Sequence, residues 1–340
     1  MVKQKPLQTD ASNASFPQST PLIEQMDPVL FAQATTAAAT LPNLYAFLVL
    51  RNGYLIHEFY APDKTRETTH HIRSVTKSIL SALVGIAVDQ GIIEEIDSPI
   101  LPTLPKQLAS KVDPKLNNVT IRHLLTMTAG FLWDENDSKV VSDWFFGGKQ
   151  TALNDALARP IVHEPGALFN YDSPTADLLA TLLARAVGRD LKSFAMDYLF
   201  GPLGIHEFAW EQDPAGNYRG SAGLAMCPID LAKIGQLYLQ QGQWQGQQVI
   251  PAAWVAQATV TQAVVNPGYG YGYLWWVQEQ ETPHFYSAVG YGGQFILVAP
   301  AEGIVVVAIH EWWQIAGEAA GKQSTDFYGE VFAKVLESAR

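Results

Sequence analysis

The chain has 340 residues, 48% of them hydrophobic and 16% charged, with a formal net charge of −11. A chain of this length usually outgrows one hydrophobic core, so we expect two lobes. The negative charge argues against nucleic acid and anionic membranes as partners, because both would repel the chain. The single cysteine, Cys227, excludes an internal disulfide framework and a cysteine-based zinc site.

The N-terminal segment, residues 1–19, is polar and is predicted to be a flexible tail. It lacks the apolar stretch of a secretory signal. The most apolar helical candidate, residues 79–93, contains Asp89 and Gly91 and is therefore not expected to span a bilayer. We expect a soluble, cytoplasmic protein without a membrane partner, although a leader removed from the chain would leave the same pattern.

Strand-rich ends flank a helix-rich middle. Asn52-Gly53 supplies the positive φ angles of a tight turn between the first two strands. The strands are predicted at residues 44–50, 54–60, 271–277, 285–289, 295–298 and 304–309. Helical periodicity is found at residues 27–39, 74–88, 121–127, 151–158, 175–187, 191–199, 229–239 and 326–338.

This element order predicts an α/β (α+β) fold class, with an antiparallel sheet flanked by terminal helices and an inserted all-helical lobe. Residues 20–73 and 243–340 would form the sheet lobe, and residues 74–242 the helical lobe. An active site would lie at the seam between them.

Ser74-Val75-Thr76-Lys77 places a hydroxyl and an amine three residues apart on one helix face. Ser74 falls in the first turn, where free backbone N–H groups can stabilise a developing oxyanion. A neutral Lys77 could take the serine proton, but keeping an ordinary lysine neutral at pH 7 costs about 4–5 kcal/mol. Such short motifs also arise by chance, and Ser74 could simply cap the helix.

Two later motifs make the functional assignment more specific than Ser-x-x-Lys alone does. Tyr171-Asp172-Ser173 precedes a predicted helix, and residues 288–294 (AVGYGGQ) lie between two late strands. With Ser-x-x-Lys, this ordered trio resembles the three motifs of class C β-lactamases and their esterase and amidase relatives, within the penicillin-recognising serine hydrolases. Residues 123–130 (HLLTMTAG) and 201–205 (GPLGI) are similar too, so the resemblance covers nearly the whole chain.

The resemblance implies a β-lactamase/transpeptidase-like fold and a role for each matched residue. Ser74 would be acylated, and Lys77 and Tyr171 would shuttle the proton, with the choice of base left open. The backbone N–H groups of Ser74 and Tyr291 would form the oxyanion hole. Gly290 would be the third motif's glycine, beside the substrate.

Some of these residues also have structural interpretations. A tyrosine before a helix, such as Tyr171, is often a packing anchor. Ser173 before Pro174 looks like an N-cap, although it could also touch substrate. Trp133 is predicted to line the cleft. The acidic residues that follow it are interpreted as a solvated loop, one carboxylate of which could bind a substrate amine.

The chain departs from class C β-lactamases where their third motif begins with lysine, because Ala288 stands there. Without that anion clamp, the resemblance favours neutral esters or amides, in the carboxylesterase or 6-aminohexanoate-dimer hydrolase branch. Esters are favoured, because an alkoxide leaves without a strong general acid.

We therefore expect a serine hydrolase that cleaves a small ester or amide through an acyl-enzyme on Ser74. No cofactor or metal is expected, since the histidines lack metal-ligand spacing. The alternatives are a β-lactamase, a D-amino-acid peptidase, a linear-amide hydrolase, or, in another class, a non-catalytic ligand-binding relative. The sequence does not fix the natural substrate or the oligomeric state.

Overall fold

A computed structural model describes residues 16–104, 112–147, 151–279, 284–315 and 317–340. Most of the predicted tail, residues 1–19, lies outside these ranges. Its last residues are packed: the ring of Phe16 meets Trp244 edge-on, with centroids 5.9 Å apart. The Leu55 amide also donates to the Pro17 carbonyl at 2.9 Å. The packed part of the chain therefore includes residues before the predicted boundary, because an aromatic side chain there finds an apolar partner.

The described strands are distributed over one large and two small sheets. In chain order they are β1 (Leu44–Arg51), β2 (Tyr54–Tyr60), β3 (His70–His71), β4 (Phe208–Trp210), β5 (Leu224–Met226), β6 (Gln243–Trp244), β7 (Gln247–Gln248), β8 (Ala263–Asn266), β9 (Tyr269–Tyr271), β10 (Trp276–Gln278), β11 (Phe285–Gly290), β12 (Gln294–Ala299) and β13 (Ile304–His310). The large sheet has the order β2-β1-β13-β12-β11-β10-β9-β8, and its neighbours are antiparallel.

The centre of the large sheet is buried on both faces. Along β1, Phe47 and Val49 belong to one apolar cluster, whereas Leu48 and Leu50 belong to the other. This follows from the alternation of side chains along a strand. The turn after β1 is the predicted one, since Asn52 and Gly53 have φ angles of 52° and 84°.

Helices cover both faces of the sheet and form the inserted lobe. In chain order they are α1 (Pro28–Thr40), α2 (Val75–Asp89), α3 (Ile121–Leu125), α4 (Ser138–Phe146), α5 (Ala152–Ala158), α6 (Ser173–Val187), α7 (Leu191–Ala195), α8 (Pro228–Leu239), α9 (Ala252–Ala258), α10 (Glu318–Asp326) and α11 (Ala333–Ser338). One-turn 3₁₀ and π segments add Leu101–Thr103, Pro114–Asn118, Met196–Phe200 and Phe327–Phe332. No helix of the described ranges is long and apolar enough to cross a membrane.

The terminal helices pack on the outer face of the sheet. Phe31 of α1 and Val335 of α11 share a buried cluster with Phe47. On the inner face, Ile79 of α2 and Ile234 of α8 pack with Leu48 and its neighbours. The predicted fold class, an antiparallel sheet with terminal helices and an inserted helical lobe, is confirmed.

Two local features differ from the expectation. The inserted lobe is not entirely helical, because β5 pairs with both β3 and β4 in a small sheet. The strand predicted at residues 271–277 is instead a hairpin between β9 and β10. Its turn is closed by the Gly272 amide, which donates to the Trp275 carbonyl at 2.8 Å, and Leu274 has a φ of 61°. A continuous apolar run does not reveal such a reversal, since its residues remain buried on both sides of the turn.

Candidate active site

Ser74 lies at the N-terminus of α2 and is partly exposed. Its side chain makes no capping hydrogen bond to the helix, so the N-cap interpretation of its hydroxyl is wrong. The Oγ atom instead lies 2.9 Å from Nζ of Lys77. The preceding residue, Arg73, has a φ of 52°, which L-residues rarely adopt. The chain therefore enters α2 through a strained residue, as occurs at many functional sites.

Lys77 is buried and surrounded by three oxygen atoms. Besides Ser74 Oγ, its Nζ donates to Ser173 Oγ at 3.2 Å and to the Ser221 carbonyl at 2.7 Å. Burial lowers the pKa of Lys77 to about 8, and the nearby charge of Glu135 opposes this by raising the pKa. With a pKa near 8, the cost of a neutral amine at pH 7 falls to about 1.4 kcal/mol.

Tyr171 completes a group of three side chains. It lies two residues before α6, and its ring stacks on Trp276 of β10, with centroids 5.4 Å apart. Its phenol lies near the Ser74 side chain, and Lys77 Nζ lies 4.9 Å from the ring centroid. Burial raises the pKa of Tyr171, and the charge of Glu135 raises it further. The surroundings therefore favour the neutral phenol over the phenolate.

Contrary to the prediction, Ser173 does not cap α6. The cap is Asp172, whose Oδ1 accepts from the Thr175 amide at 3.0 Å and whose carboxylate pairs with Arg159. Ser173 is fully buried, and its hydroxyl donates to Glu135 Oε1 at 2.6 Å. Its oxygen is then left to accept from Lys77. A side chain without exposed surface has no route to a substrate in this conformation, so the substrate contact predicted for Ser173 stays a prediction without structural support.

Glu135 links several of these groups. Its Oε2 accepts from the Ser173 amide at 3.2 Å and from the indole N–H of Trp133. Trp133 is only 9% exposed, and its ring packs edge-on against Trp144. Trp133 thus reaches the site mainly by orienting Glu135, and its role in lining the cleft stays a prediction.

A second carboxylate, that of Asp177, holds the segment whose carbonyl accepts the hydrogen bond from Lys77. Asp177 of α6 accepts from the amides of Gly220 and Ser221, each at 2.8 Å. Arg219 pairs with the same carboxylate at 3.4 Å. The loop before β5 is therefore fixed, with the Ser221 carbonyl held towards Lys77.

The third motif lies where β11 meets the segment before Ser74. A Cβ atom on Gly290 would lie 2.5 Å from the Ile72 carbonyl oxygen, so only glycine permits this approach. Gln294 donates to the carbonyls of Gly292 and His310, at 3.2 and 2.9 Å. The turn that carries Tyr291 is thereby held beside the start of α2. Its role in the oxyanion hole, with the Ser74 amide, stays a prediction.

Comparison with known proteins identifies the family. A family model described as Beta-lactamase matches residues 37–323. The chain belongs to the beta-lactamase family. The 6-aminohexanoate-dimer hydrolase of Paenarthrobacter ureafaciens is 24% identical over 289 residues, which cover 78% of this chain and 72% of that protein.

Solved structures have the same fold. A Bacillus anthracis protein, provisionally assigned as a 6-aminohexanoate-dimer hydrolase, superposes with a TM-score of 0.77 at 18% identity, covering 100% of this chain and 91% of that one. EstCE1, a hydrolase with promiscuous acyltransferase activity, gives a TM-score of 0.68 at 19% identity, with 92% and 98% covered. The predicted superfamily and branch are confirmed, and this member of the beta-lactamase family is a serine hydrolase.

Where the third motif of class C β-lactamases begins with lysine, this member of the beta-lactamase family has the uncharged residue Ala288. Ala288 is 1% exposed and packs in the core between β11 and α2. Sequence reasoning noted this departure but missed two carboxylates, those of Glu135 and Asp177. Glu135 had been placed in a solvated loop, because its partner Ser173 is 38 residues away. Nothing local marks Asp177, because the partners of its carboxylate are 33 to 44 residues away.

Proposed function

We propose that this chain hydrolyses small carboxylic esters through an acyl-enzyme on Ser74. The observation that carries the proposal is the 2.9 Å contact between Ser74 Oγ and a buried Lys77 whose pKa is lowered to about 8. A lysine in this state is a general base close to neutral pH. It lies within hydrogen-bonding reach of the proton that must be removed.

The hydrogen bonds of Lys77 indicate where its lone pair points. The Ser221 carbonyl can only accept, and Ser173 Oγ also accepts once its hydrogen is given to Glu135. A neutral amine has two N–H bonds, and these two acceptors use both. The lone pair is then left facing Ser74 Oγ. Lys77 is therefore proposed as the base, with Tyr171 kept as a neutral phenol.

The reaction follows from this orientation. Ser74 Oγ attacks the substrate carbonyl as its proton passes to Lys77, and the new oxyanion would be held by the amides of Ser74 and Tyr291. The carbon–oxygen bond to the leaving alcohol then breaks. Lys77 returns the proton to that oxygen, with the Tyr171 hydroxyl as relay. A water molecule, deprotonated by Lys77, attacks the acyl-enzyme, and Ser74 leaves with its proton restored.

The proposed site is better suited to the cleavage of esters than of amides. The pKa of Tyr171 is raised, which makes it a weak acid, and an alkoxide needs less help from an acid than an amine does. Linear-amide hydrolysis is the second candidate, because a curated relative over most of the chain is a 6-aminohexanoate-dimer hydrolase. β-Lactam hydrolysis has less support, since Ala288 offers no charge to a drug carboxylate.

Covalent labelling combined with a substrate panel tests the function. A fluorophosphonate probe is expected to label the intact chain on the peptide that contains Ser74. Among p-nitrophenyl butyrate, nitrocefin and 6-aminohexanoate dimer, the butyrate ester is expected to turn over fastest. Rapid nitrocefin hydrolysis would contradict the inference from Ala288. Absence of both labelling and turnover would instead favour a ligand-binding protein.

The activity is expected to depend on pH through Lys77. Its pKa is lowered to about 8, and only the deprotonated amine can accept the serine proton. The kcat/KM for p-nitrophenyl butyrate should therefore rise with pH, reach half its maximum near pH 8 and level off above. Circular dichroism across the same range would separate this effect from unfolding. A profile that is flat between pH 6 and 9 would contradict Lys77 as the base.

Glu135→Gln is expected to move that profile and to slow turnover. The variant removes a negative charge that raises the pKa of Lys77, so the rising limb should shift to lower pH. The glutamine oxygen can keep the two donors that bind Oε2, but its N–H₂ group then faces the Ser173 hydroxyl, which loses its acceptor, so the site should loosen and kcat fall about 10-fold. Asp134→Asn is the matched control, since that neighbouring side chain is exposed. If the rising limb of the pH profile did not shift in Glu135→Gln, or shifted equally in the control, this positioning role would be contradicted.

A further inference from the structure

Arg73, the residue before the nucleophile, is a cation without an ion pair. Its Nε is buried and has no hydrogen-bond partner in the described ranges. No carboxylate of those ranges lies within the ion-pair distance of 4.0 Å from its guanidinium. By contrast, Arg159 and Arg219, which are also largely buried, each pair with an aspartate. A partly desolvated guanidinium without a counter-charge is unfavourable unless something else binds it.

Aromatic rings from both lobes hold this guanidinium in place. Its central carbon lies 4.2 Å from the ring centroid of Trp312, 5.4 Å from that of Phe145 and 5.9 Å from that of Tyr291. Phe145 belongs to α4 of the helical lobe, whereas Tyr291 follows β11. Aromatic faces attract a cation without neutralising it. The charge is thus fixed at the seam of the lobes and left available.

Arg73 also lies close to the reacting groups. Its Cβ atom would be 3.1 Å from a Cβ on Gly290, so its side chain starts against the strand of the third motif. Its charge lowers the pKa of Lys77. Burial lowers the pKa of Arg73 itself, and the more distant charges of Glu211 and, less strongly, Glu135 oppose that effect. The guanidinium is therefore within electrostatic reach of the nucleophile's base and of the carboxylate across the site. It is partly exposed, as Ser74 is.

We propose that Arg73 binds a carboxylate on the substrate, so that the enzyme prefers small esters that carry one negative charge. The inference rests on the proposed function and adds a substrate class to it. A guanidinium can bind a carboxylate through two parallel N–H bonds. The start of α2 would then supply the positive charge that Ala288 does not supply from β11.

The overall charge of the chain does not prevent this binding. A net charge of −11 repels anions at long range, but salt screens that repulsion beyond roughly 8 Å at physiological ionic strength. At contact, the charge-assisted pair between a substrate carboxylate and a partly desolvated arginine outweighs this long-range repulsion. It corresponds to a preference of about 10- to 100-fold for the charged over the neutral ester.

Paired substrates test the proposal on the intact chain. The first pair is mono-p-nitrophenyl adipate and its methyl ester, which differ by a carboxylate on the acyl side. The second is 4-(butyryloxy)benzoate and its methyl ester, which differ on the leaving-group side. In wild type, the carboxylate member of at least one pair is expected to have the larger kcat/KM, by about 10- to 100-fold. Raising the salt concentration should reduce that ratio.

Variants assign the preference to Arg73. Arg73→Gln should reduce the ratio of kcat/KM for the charged ester to kcat/KM for the neutral ester to about 1. Arg73→Lys should retain part of that preference, because lysine keeps the positive charge but cannot donate the two parallel N–H bonds of a guanidinium. Arg66→Gln is the matched control, since it removes an equal charge from an arginine paired with Glu58 in the loop after β2. Its ratio should equal that of wild type.

The possible outcomes separate this proposal from the proposed function. A wild type that cleaves the neutral esters without preferring either carboxylate would overturn the arginine site alone. The site is also overturned if the preference survives Arg73→Gln, or if both members of a pair fall equally in that variant, which would indicate a packing role. If wild type cleaves neither member of either pair and is not labelled at Ser74, the ester hydrolase assignment itself fails.

Discussion

Ser74→Ala is expected to lower kcat for p-nitrophenyl butyrate by about 10⁴-fold or more, with little change in KM. The variant removes the only atom proposed to become covalently attached to the substrate, and removal of a nucleophile costs factors of this size in serine hydrolases. The amides proposed for the oxyanion hole remain, so a small residual rate above the uncatalysed reaction is expected. Stopped assays and intact-mass analysis of the fluorophosphonate-treated protein would measure both effects.

Ser81→Ala provides the matched control for this variant. Ser81 lies on the same helix, is fully buried and has its Oγ 3.4 Å from the Trp254 indole nitrogen, away from Lys77. The control should keep its turnover and its labelling. If Ser74→Ala remained active while Ser81→Ala lost activity, the nucleophile would have to be sought elsewhere on the chain.

Lys77→Met is expected to lower kcat/KM about 10³- to 10⁴-fold, while the fold stays at least as stable as wild type. The activity falls because the proposed base is lost. The stability does not fall in step, because methionine fills a similar volume without a buried charge. The variant also loses the hydrogen bond to the Ser221 carbonyl, which offsets part of the gain. Activity and the midpoint of thermal unfolding would be measured on the same preparations.

The pH dependence of stability provides a second readout for this variant. The pKa of Lys77 in the folded protein is lowered to about 8, so between pH 8 and 10.5 the unfolded state binds more protons than the folded state. The contribution of Lys77 to stability therefore rises with pH across that range, and it is least favourable below pH 8. The advantage of methionine should be largest near pH 7 and shrink by pH 9.5. A methionine variant less stable than wild type at pH 7 would indicate that Lys77 is chiefly structural.

Local patterns in the sequence predicted most of the fold. Runs of apolar, strand-favouring residues predicted β1 and β13, and Asn52-Gly53 predicted the turn after β1, because each depends on preferences of neighbouring residues. The spacing of Ser74 and Lys77 likewise predicted their contact, since residues three apart share a helix face.

The sequence did not reveal which distant groups set the chemistry of the site. Asp172 and Ser173 are both good cap residues, and their neighbours do not decide which of them caps α6. In the structure, Asp172 is held by Arg159, and Ser173 is left for Glu135. The lowered pKa of Lys77 depends on burial produced by the whole fold, so the spacing of Ser74 and Lys77 could not predict it.

The pairing of β1 with β13 has a consequence for how the enzyme is made. These neighbours come from opposite parts of the sequence, with Arg51 aligned to Ile304. On the ribosome, the first hairpin must wait for about 250 further residues before its central partner exists, and contacts this distant slow folding. Until then, a strand that is apolar on both faces has an open edge, which is a hazard for aggregation. The late strands that close the sheet also bring the turn with Tyr291 to the start of α2, so completion of the core coincides with assembly of the proposed catalytic site.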